Sequence, residues 1–247
     1  MPEGPILVML KEQLKPFKRK KVIAAKGYAK GLNPELLVGK TITDIKTWGK
    51  HLLICFPKFT VRVHMMLFGS YLINEHRKTN ASLHMQFAKG EVNFYISSIA
   101  VIDKPLDEVY DWSADVMGDD WDSDAAIEKL KKKPKALVCD ALFDQKIFSG
   151  VGNIIRNEVM FRVRVHPENT IGDLPDKKLK ELVDETRNYS FDFLKWKKIN
   201  QLSRHFEAYE QKTCPRDDIP FHKADLGKTK RHTYYCDKCE VMYGDED

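Results

Sequence analysis

Between residues 20 and 100 apolar side chains recur at every second position, and beyond residue 124 they recur at every third or fourth. A chain whose hydrophobic period changes once in this way is a β half followed by a helical half, an α+β protein. Val61 and Val63 carry the period of two, and Leu83, Met85 and Phe87 repeat it before Val92, Phe94 and Ile96, across an Ala88-Lys89-Gly90 turn. Strands joined by so short a turn are antiparallel, most simply in a sandwich. Ahead of them, residues 5–15 predict a short helix, with Pro5 in its first turn and Leu7, Leu10 and Leu14 on one face. The aspartate-rich stretch from Asp111 to Asp124 has no alternation and reads as a linker. Helical segments follow. One is capped by Ser123 or Asp124 and ends at Pro134, one covers 136–145, one covers 153–163 before Pro167, and a longer one carries the stripe Leu179, Leu182, Val183, Thr186 and Phe193. The expected division is 1–118 for the β domain, 119–200 for the helical domain and 201–247 for a cysteine-bearing hairpin.

Composition restricts the class. With 43% hydrophobic and 31% charged residues the chain is a globular folder, and no apolar run approaches the roughly 20 residues of a membrane helix. The Pro-Glu start lacks the basic and apolar regions of a secretory leader, so the expected location is cytoplasmic, nucleoid-associated in a bacterium. Five cysteines are an odd number and three crowd into the C-terminus, which favours a metal over a disulfide framework. A net charge of +5 is too small to identify a nucleic-acid partner, but cations outnumber anions 11 to 6 between residues 195 and 239.

Several stretches carry chemistry. The chain begins Met1-Pro2-Glu3-Gly4-Pro5, and an initiator Met before Pro is normally removed, which leaves Pro2 with a free secondary amine. An α-amino group titrates near ~8 against ~10.4 for lysine, so a roughly hundredfold larger fraction is unprotonated at neutral pH and able to attack an electrophilic carbon. Glu3 supplies a neighbouring carboxyl to move protons, at the positive end of the first helix. Taken alone, Met-Pro is also an ordinary way to begin a protein. Cys236-x-x-Cys239 is a metal knuckle and Cys214 lies at zinc-ribbon distance before it. The fourth ligand is Asp217, at the vacant knuckle position, or His222, a better donor on the following strand. Between them, Lys228 to Thr233 concentrates cations at a turn, which suits a phosphate clamp or a solvated loop. Gly150-Val151-Gly152-Asn153 opens a helix whose N–H groups face outward, and with Leu142 to Gln145 before it and Arg156-Asn157-Glu158 after it forms a helix-turn-helix candidate for gripping phosphate. Gly49-Lys50 sets a lysine at the mouth of a strand. His64 to Gly69 ends a strand in Met66, Leu67 and Phe68, a core segment or a wedge for the gap left by a nucleotide turned out of a duplex.

Taken in order, these landmarks resemble the formamidopyrimidine-DNA glycosylase and endonuclease VIII family over essentially the whole chain: Pro2 to Pro5, the Gly49-Lys50-x-Leu-Leu strand, the His64–Gly69 loop, Asp144-Gln145 through Gly150-x-Gly152-Asn153 to Glu158, and the ribbon. The resemblance implies a β-sandwich, a helix-two-turns-helix domain and a zinc-ribbon hairpin. It also implies a monomeric base-excision enzyme acting on double-stranded DNA that holds a damaged base or an abasic site. Pro2 would attack the sugar C1′ and form an imine that leads to strand nicking, with Glu3 protonating the sugar oxygen. Lys50, Asn153 and Arg231 would hold the flanking phosphates, and Met66, Leu67 and Phe68 would occupy the void. Structural zinc would sit on Cys214, Asp217, Cys236 and Cys239. The Gly4 start, the apolar triplet and the short connection before Cys214 look more like the endonuclease VIII branch, which points to oxidised pyrimidines. Two positions depart from the family pattern: Ile6 replaces a usual acidic residue, and Asp217 replaces a ligand cysteine. The alternatives are a damaged-DNA-binding protein without catalysis and an abasic-site lyase without efficient base excision.

Overall fold

The computed structural model describes residues 2–244, in two compact units, 1–111 and 112–247. In the first unit, helix α1 (Gly4–Gln13) precedes strands β1 (Val22–Lys26), β2 (Asp44–Trp48), β3 (His51–Cys55), β4 (Thr60–Ile73), β5 (Leu83–Phe87) and β6 (Glu91–Ile102), and a single helical turn α2 (Leu106–Val109) follows. The strands pair antiparallel in the order β1-β5-β6-β4-β3-β2. One element makes two layers from this one ladder. β4 pairs with β6 along its whole length except between Met65 and Ser70, where Met66 to Gly69 stand against Ile96 alone. On one side of that bulge β4 holds β3 and β2; on the other, β6 holds β5 and β1. Residues from both sides share a single core, in which Val61, Val63 and Leu52 meet Met85, Phe87 and Phe94, with Leu7 and Leu10 of α1 closing it.

The bulge explains a departure from the sequence pattern. Val92 and Phe94 are buried as alternation requires, but Ile96 is exposed, because its backbone turns left-handed there (φ 49°) and breaks the pleat. Gly69 on the facing strand has no room for a side chain, since a Cβ would lie 2.7 Å from the Met66 nitrogen and 2.9 Å from the Ile96 oxygen.

The second unit contains α3 (Ser123–Lys131), the single turn α4 (Val138–Ala141), α5 (Asn153–Val163), α6 (Asp176–Lys198) and a hairpin of β7 (His222–Leu226) and β8 (Arg231–Tyr235). The cap of α3 is Asp122, whose carboxylate accepts from the Ala125 N–H, one residue before the expected Ser123 and two before Asp124. The 136–145 segment is helical over only four residues, whereas 153–163 and the buried stripe of α6 follow the expectation. The stretch from Asp111 to Asp124 is not a free linker. Ala114, Asp115 and Val116 are buried, and the Arg187 guanidinium of α6 donates to the Val116 and Gly118 carbonyls at 3.0 and 3.1 Å. No helix among the described residues is long and apolar enough to cross a membrane.

Candidate functional site

In the first unit, Pro2 is half-buried just ahead of α1, and Glu3 is the residue that opens the helix, its carbonyl accepting the Ile6 N–H at 2.9 Å. Its side chain makes no capping hydrogen bond to the first turn and is 2% exposed, at the positive end of the helix dipole. Ile6 points its side chain against the core. Helix α1 packs on β2 and β3, and Lys50 lies in the two-residue turn between those strands, 6% exposed. The helix that begins at Glu3 and the hairpin that bears Lys50 are thus one packed piece.

Beneath the turn lies a set of side chains that the sequence did not single out. The Lys50 carbonyl is 3.2 Å from His64 Nδ1, and a carbonyl only accepts, so that nitrogen carries the proton. His51 meets the His64 ring edge-on at 5.1 Å and the Tyr110 hydroxyl through Nδ1 at 3.2 Å. Trp48 packs on Tyr110 and donates its indole N–H to the Asp111 carbonyl at 2.9 Å. Burial, then the neighbouring His64 and Arg62, bring the His51 pKa down to about 3. Burial also lowers that of His64, aided by the charges of Lys50 and Arg62. Both imidazoles are neutral at pH 7. Farther along β4, the bulge carries Met66, Leu67 and Phe68 outward, with exposures of 47%, 49% and 75%. Three adjacent apolar side chains held in water by a distorted strand are not core residues.

In the second unit the turn before α5 is fastened by Gln145. Its side-chain oxygen accepts the Gly150 N–H at 3.1 Å, and its amide donates to the Phe143 and Val151 carbonyls. Gly152 is the cap, and Asn153 is the first helical residue. Asn153, Arg156 and Asn157 share one face of α5 and turn it toward β8. Asn153 Nδ2 donates to the His232 carbonyl at 3.0 Å, and Arg156 Nη2 donates to Thr233 Oγ1 at 2.7 Å and to the Arg231 carbonyl at 3.3 Å. The Tyr234 N–H donates to Asn157 Oδ1 at 2.7 Å. Asn153 and Arg231 are thereby brought together, with Arg231 exposed. Glu158, on the same helix, accepts backbone N–H groups of Glu207, Ala208 and Tyr209 at 2.8–3.1 Å and so fixes the approach to the hairpin.

Behind the hairpin, ligand atoms of Cys214, Asp217, Cys236 and Cys239 lie within 4.8 Å of one another and could hold a metal ion. The Cys214 and Cys239 sulfurs are 3.8 Å apart, and Asp217 Oδ2 is 3.6 Å from Cys214 Sγ and 3.4 Å from Cys236 Sγ. His222 is outside this group; its Nε2 pairs with Asp237 at 2.8 Å. The Cys236 N–H donates to Glu240 Oε2 at 2.6 Å, and the Arg216 guanidinium covers the Phe161 ring at 3.9 Å while donating to its carbonyl.

Comparison with known proteins matches this layout twice. The model of the formamidopyrimidine-DNA glycosylase N-terminal domain matches residues 1–97, and that of the formamidopyrimidine-DNA glycosylase H2TH domain matches residues 113–190. The chain belongs to the formamidopyrimidine-DNA glycosylase and endonuclease VIII family. Among relatives, endonuclease 8-like 3 of Xenopus laevis is 32% identical over 219 residues, 83% of this chain and 35% of the relative. The probable endonuclease 8 2 of Streptomyces coelicolor is 25% identical over 83% of this chain and 81% of its own length. The chain spans about a third of the endonuclease 8-like 3 relatives it matches. In fold it is similar to a viral DNA glycosylase (TM-score 0.84, 18% identity, covering 97% of this chain and 100% of the other). It is also similar to Lactococcus lactis formamidopyrimidine-DNA glycosylase non-covalently bound to DNA containing an abasic site (TM-score 0.83, 21% identity, 96% and 99% covered).

For a member of this family, the sequence-selected residues fall into three places: Pro2, Glu3 and Lys50 with Met66 to Phe68 in the first unit, Asn153 with Arg231 in the second, and the four-ligand group behind that hairpin. Sequence reasoning passed over His51, Tyr110 and the separate roles of Arg156, Asn157 and Glu158. A signal existed for α5 alone: polar residues at 153, 156 and 157 on one face of an otherwise apolar helix need buried partners.

Proposed function

We propose that this chain is a DNA glycosylase with abasic-site lyase activity, acting on double-stranded DNA that contains an oxidised base or an abasic site. The observation that carries the proposal is the start of the chain: a Pro-Glu pair at the mouth of α1, on the helix packed against the hairpin of Lys50. Once Met1 is removed, the Pro2 nitrogen adds its lone pair to C1′ of the deoxyribose as the bond to the base breaks, and the base leaves with the electron pair of that bond and takes up the proton the amine gives up. The sugar ring oxygen leaves C1′ as Glu3 gives it a proton, and a cationic imine remains between protein and sugar. That imine acidifies the adjacent C2′–H, so loss of a proton expels the 3′ phosphate and nicks the strand. Lys50, Asn153 and Arg231 hold phosphates, and Met66, Leu67 and Phe68 fill the space of the everted nucleotide. Oxidised pyrimidines are favoured because the connection from α6 to Cys214 has little free length: it contains a 3-10 turn at Leu202–His205, and its next residues are tied to Glu158. No long lesion-covering loop is available there.

Zinc suits the group of Cys214, Asp217, Cys236 and Cys239. Zn–S bonds of about 2.3 Å and Zn–O bonds of about 2.0 Å give tetrahedral edges of roughly 3.8 Å between sulfurs and 3.5 Å between sulfur and oxygen, which the observed 3.8, 3.6 and 3.4 Å match. With four protein ligands the site is closed, so the ion stabilises the hairpin and takes no part in the reaction.

Borohydride reduction during incubation with an abasic duplex tests the proposal. A covalent adduct whose peptide map places the sugar on the Pro2 nitrogen is expected; no adduct, or an adduct on a lysine, overturns it. A second reading is favoured by Ile6, whose apolar side chain packs on the core where the family usually presents a carboxylate. Under it the protein nicks abasic sites but releases no intact base, so duplexes with single oxidised pyrimidines would form no adduct.

A further inference from the structure

We propose that Asp140 is a positioning residue that sets the cationic hairpin tip, although its own charge opposes anion binding. The proposal rests on the reading of this hairpin as a phosphate contact and adds the residue that aims it. Asp140 lies on α4, 88 positions before the turn between β7 and β8, and its carboxylate accepts the Lys228 backbone N–H through both oxygens, at 2.8 and 3.1 Å. The turn lies so close to the carboxylate that a Cβ on Gly227 (φ 70°) would be 2.3 Å from Asp140 Oδ1. On the β8 side, α5 holds the same hairpin through Asn153, Arg156 and Asn157. Two independent elements therefore grip the tip by its backbone, at 228 and at 231–234, and the side chains of Lys228, Lys230 and Arg231 stay exposed.

Electrostatics alone gives this carboxylate the wrong sign. A negative charge under a cluster of cations lowers the local potential and repels phosphate. Geometry gives the opposite sign, because a carboxylate bonded to one backbone N–H orders a turn whose cations would otherwise sample many positions before binding. The two effects predict opposite outcomes for Asp140→Ala, which removes charge and acceptor together, and that makes the assignment testable.

Binding to a duplex with a tetrahydrofuran abasic analogue is measured against salt for the wild type, Asp140→Ala and Asp140→Asn, in the zinc-loaded full chain. Asp140→Asn keeps an acceptor oxygen and loses the charge, so it binds as tightly as the wild type or tighter. Asp140→Ala binds severalfold more weakly despite its added net positive charge, and its slope of log affinity against log salt falls by about one, the loss of one phosphate contact. Gly227→Ala, which pushes the turn off the carboxylate, reproduces Asp140→Ala. In protein without DNA, hydrogen exchange at the Lys228 amide is slow in the wild type and in Asp140→Asn and fast in Asp140→Ala. Asp140→Ala binding at least as tightly as the wild type with an unchanged slope overturns the proposal, and so does rapid exchange at Lys228 in the wild type. A wild type with slow Lys228 exchange but no salt-dependent affinity for the duplex overturns the DNA reading and leaves the turn anchor standing.

Discussion

His51 is a half-buried base, and its protonation links stability to pH. Its folded pKa of about 3 lies below the unfolded value near 6.5, so from pH 6.5 downward the unfolded chain takes up a proton that the folded chain refuses. Stability is therefore full above about pH 6.5 and falls toward pH 3, by up to about 1.4 kcal/mol per pH unit for one such group. Urea midpoints between pH 7 and pH 4 should fall more steeply for the wild type than for His51→Gln; equal slopes would show that His51 titrates freely. At Glu3 the expected effect is on rate. Glu3→Gln should slow base release by roughly 10²- to 10⁴-fold, the range of a positioned proton donor, and leave affinity for an abasic duplex nearly unchanged in a gel-shift assay. The sequence singles out Pro2 and Glu3 because amine and acid chemistry attaches to residue type and to a place near the chain start. The contact of His51 with Tyr110 was not legible there, because it spans 59 residues and neither residue alone suggests the other.

Among the elements, the bulge between β4 and β6 has two residues whose substitution should act in opposite directions. Ile96 is β-branched and left-handed, a conformation that costs roughly 1–2 kcal/mol in steric repulsion, and it is half exposed, so it gains little from packing. Ile96→Gly or Ile96→Asn should raise the free energy of unfolding by roughly 1 kcal/mol in urea titration. Gly69→Ala should lower it, because the new methyl meets backbone atoms under 3.0 Å away. The alternation of Val92, Phe94 and Ile96 assigned Ile96 to the inward face, and that expectation failed for a physical reason. Period counts presume an unbroken pleat, and the break is imposed by extra residues on the partner strand, which a local window does not contain. The apolar Met66-Leu67-Phe68 run was readable as a segment in need of a partner. Only the register of β4 against β6 explains why it faces water.

At the scale of the molecule, each unit has buried core residues of its own, so if the hairpin holds zinc as proposed, its removal should act on the second unit alone. Cys214, Cys236, Phe161 and Ala208 form a small core of their own, with Ile219 and Phe221 packed on it, too small to hold a hairpin without the ion. Chelation should abolish hydrogen-exchange protection over residues 214–240 and leave the strands of the first unit protected; loss of protection in both together would contradict this separation. The hydrophobic period of two lies in the first unit and the helical period in the second, while the carbonyls that Arg187 holds at Val116 and Gly118 carry no sequence signature. The joint between α5 and β8 has one further consequence. Its grip falls mostly on main-chain carbonyls, and every amino acid supplies the same carbonyl, so the residues at 231 and 232 can be exchanged without loosening the mount. The hairpin is thus a fixed shank with an interchangeable bit, and selection could refit what it touches one residue at a time.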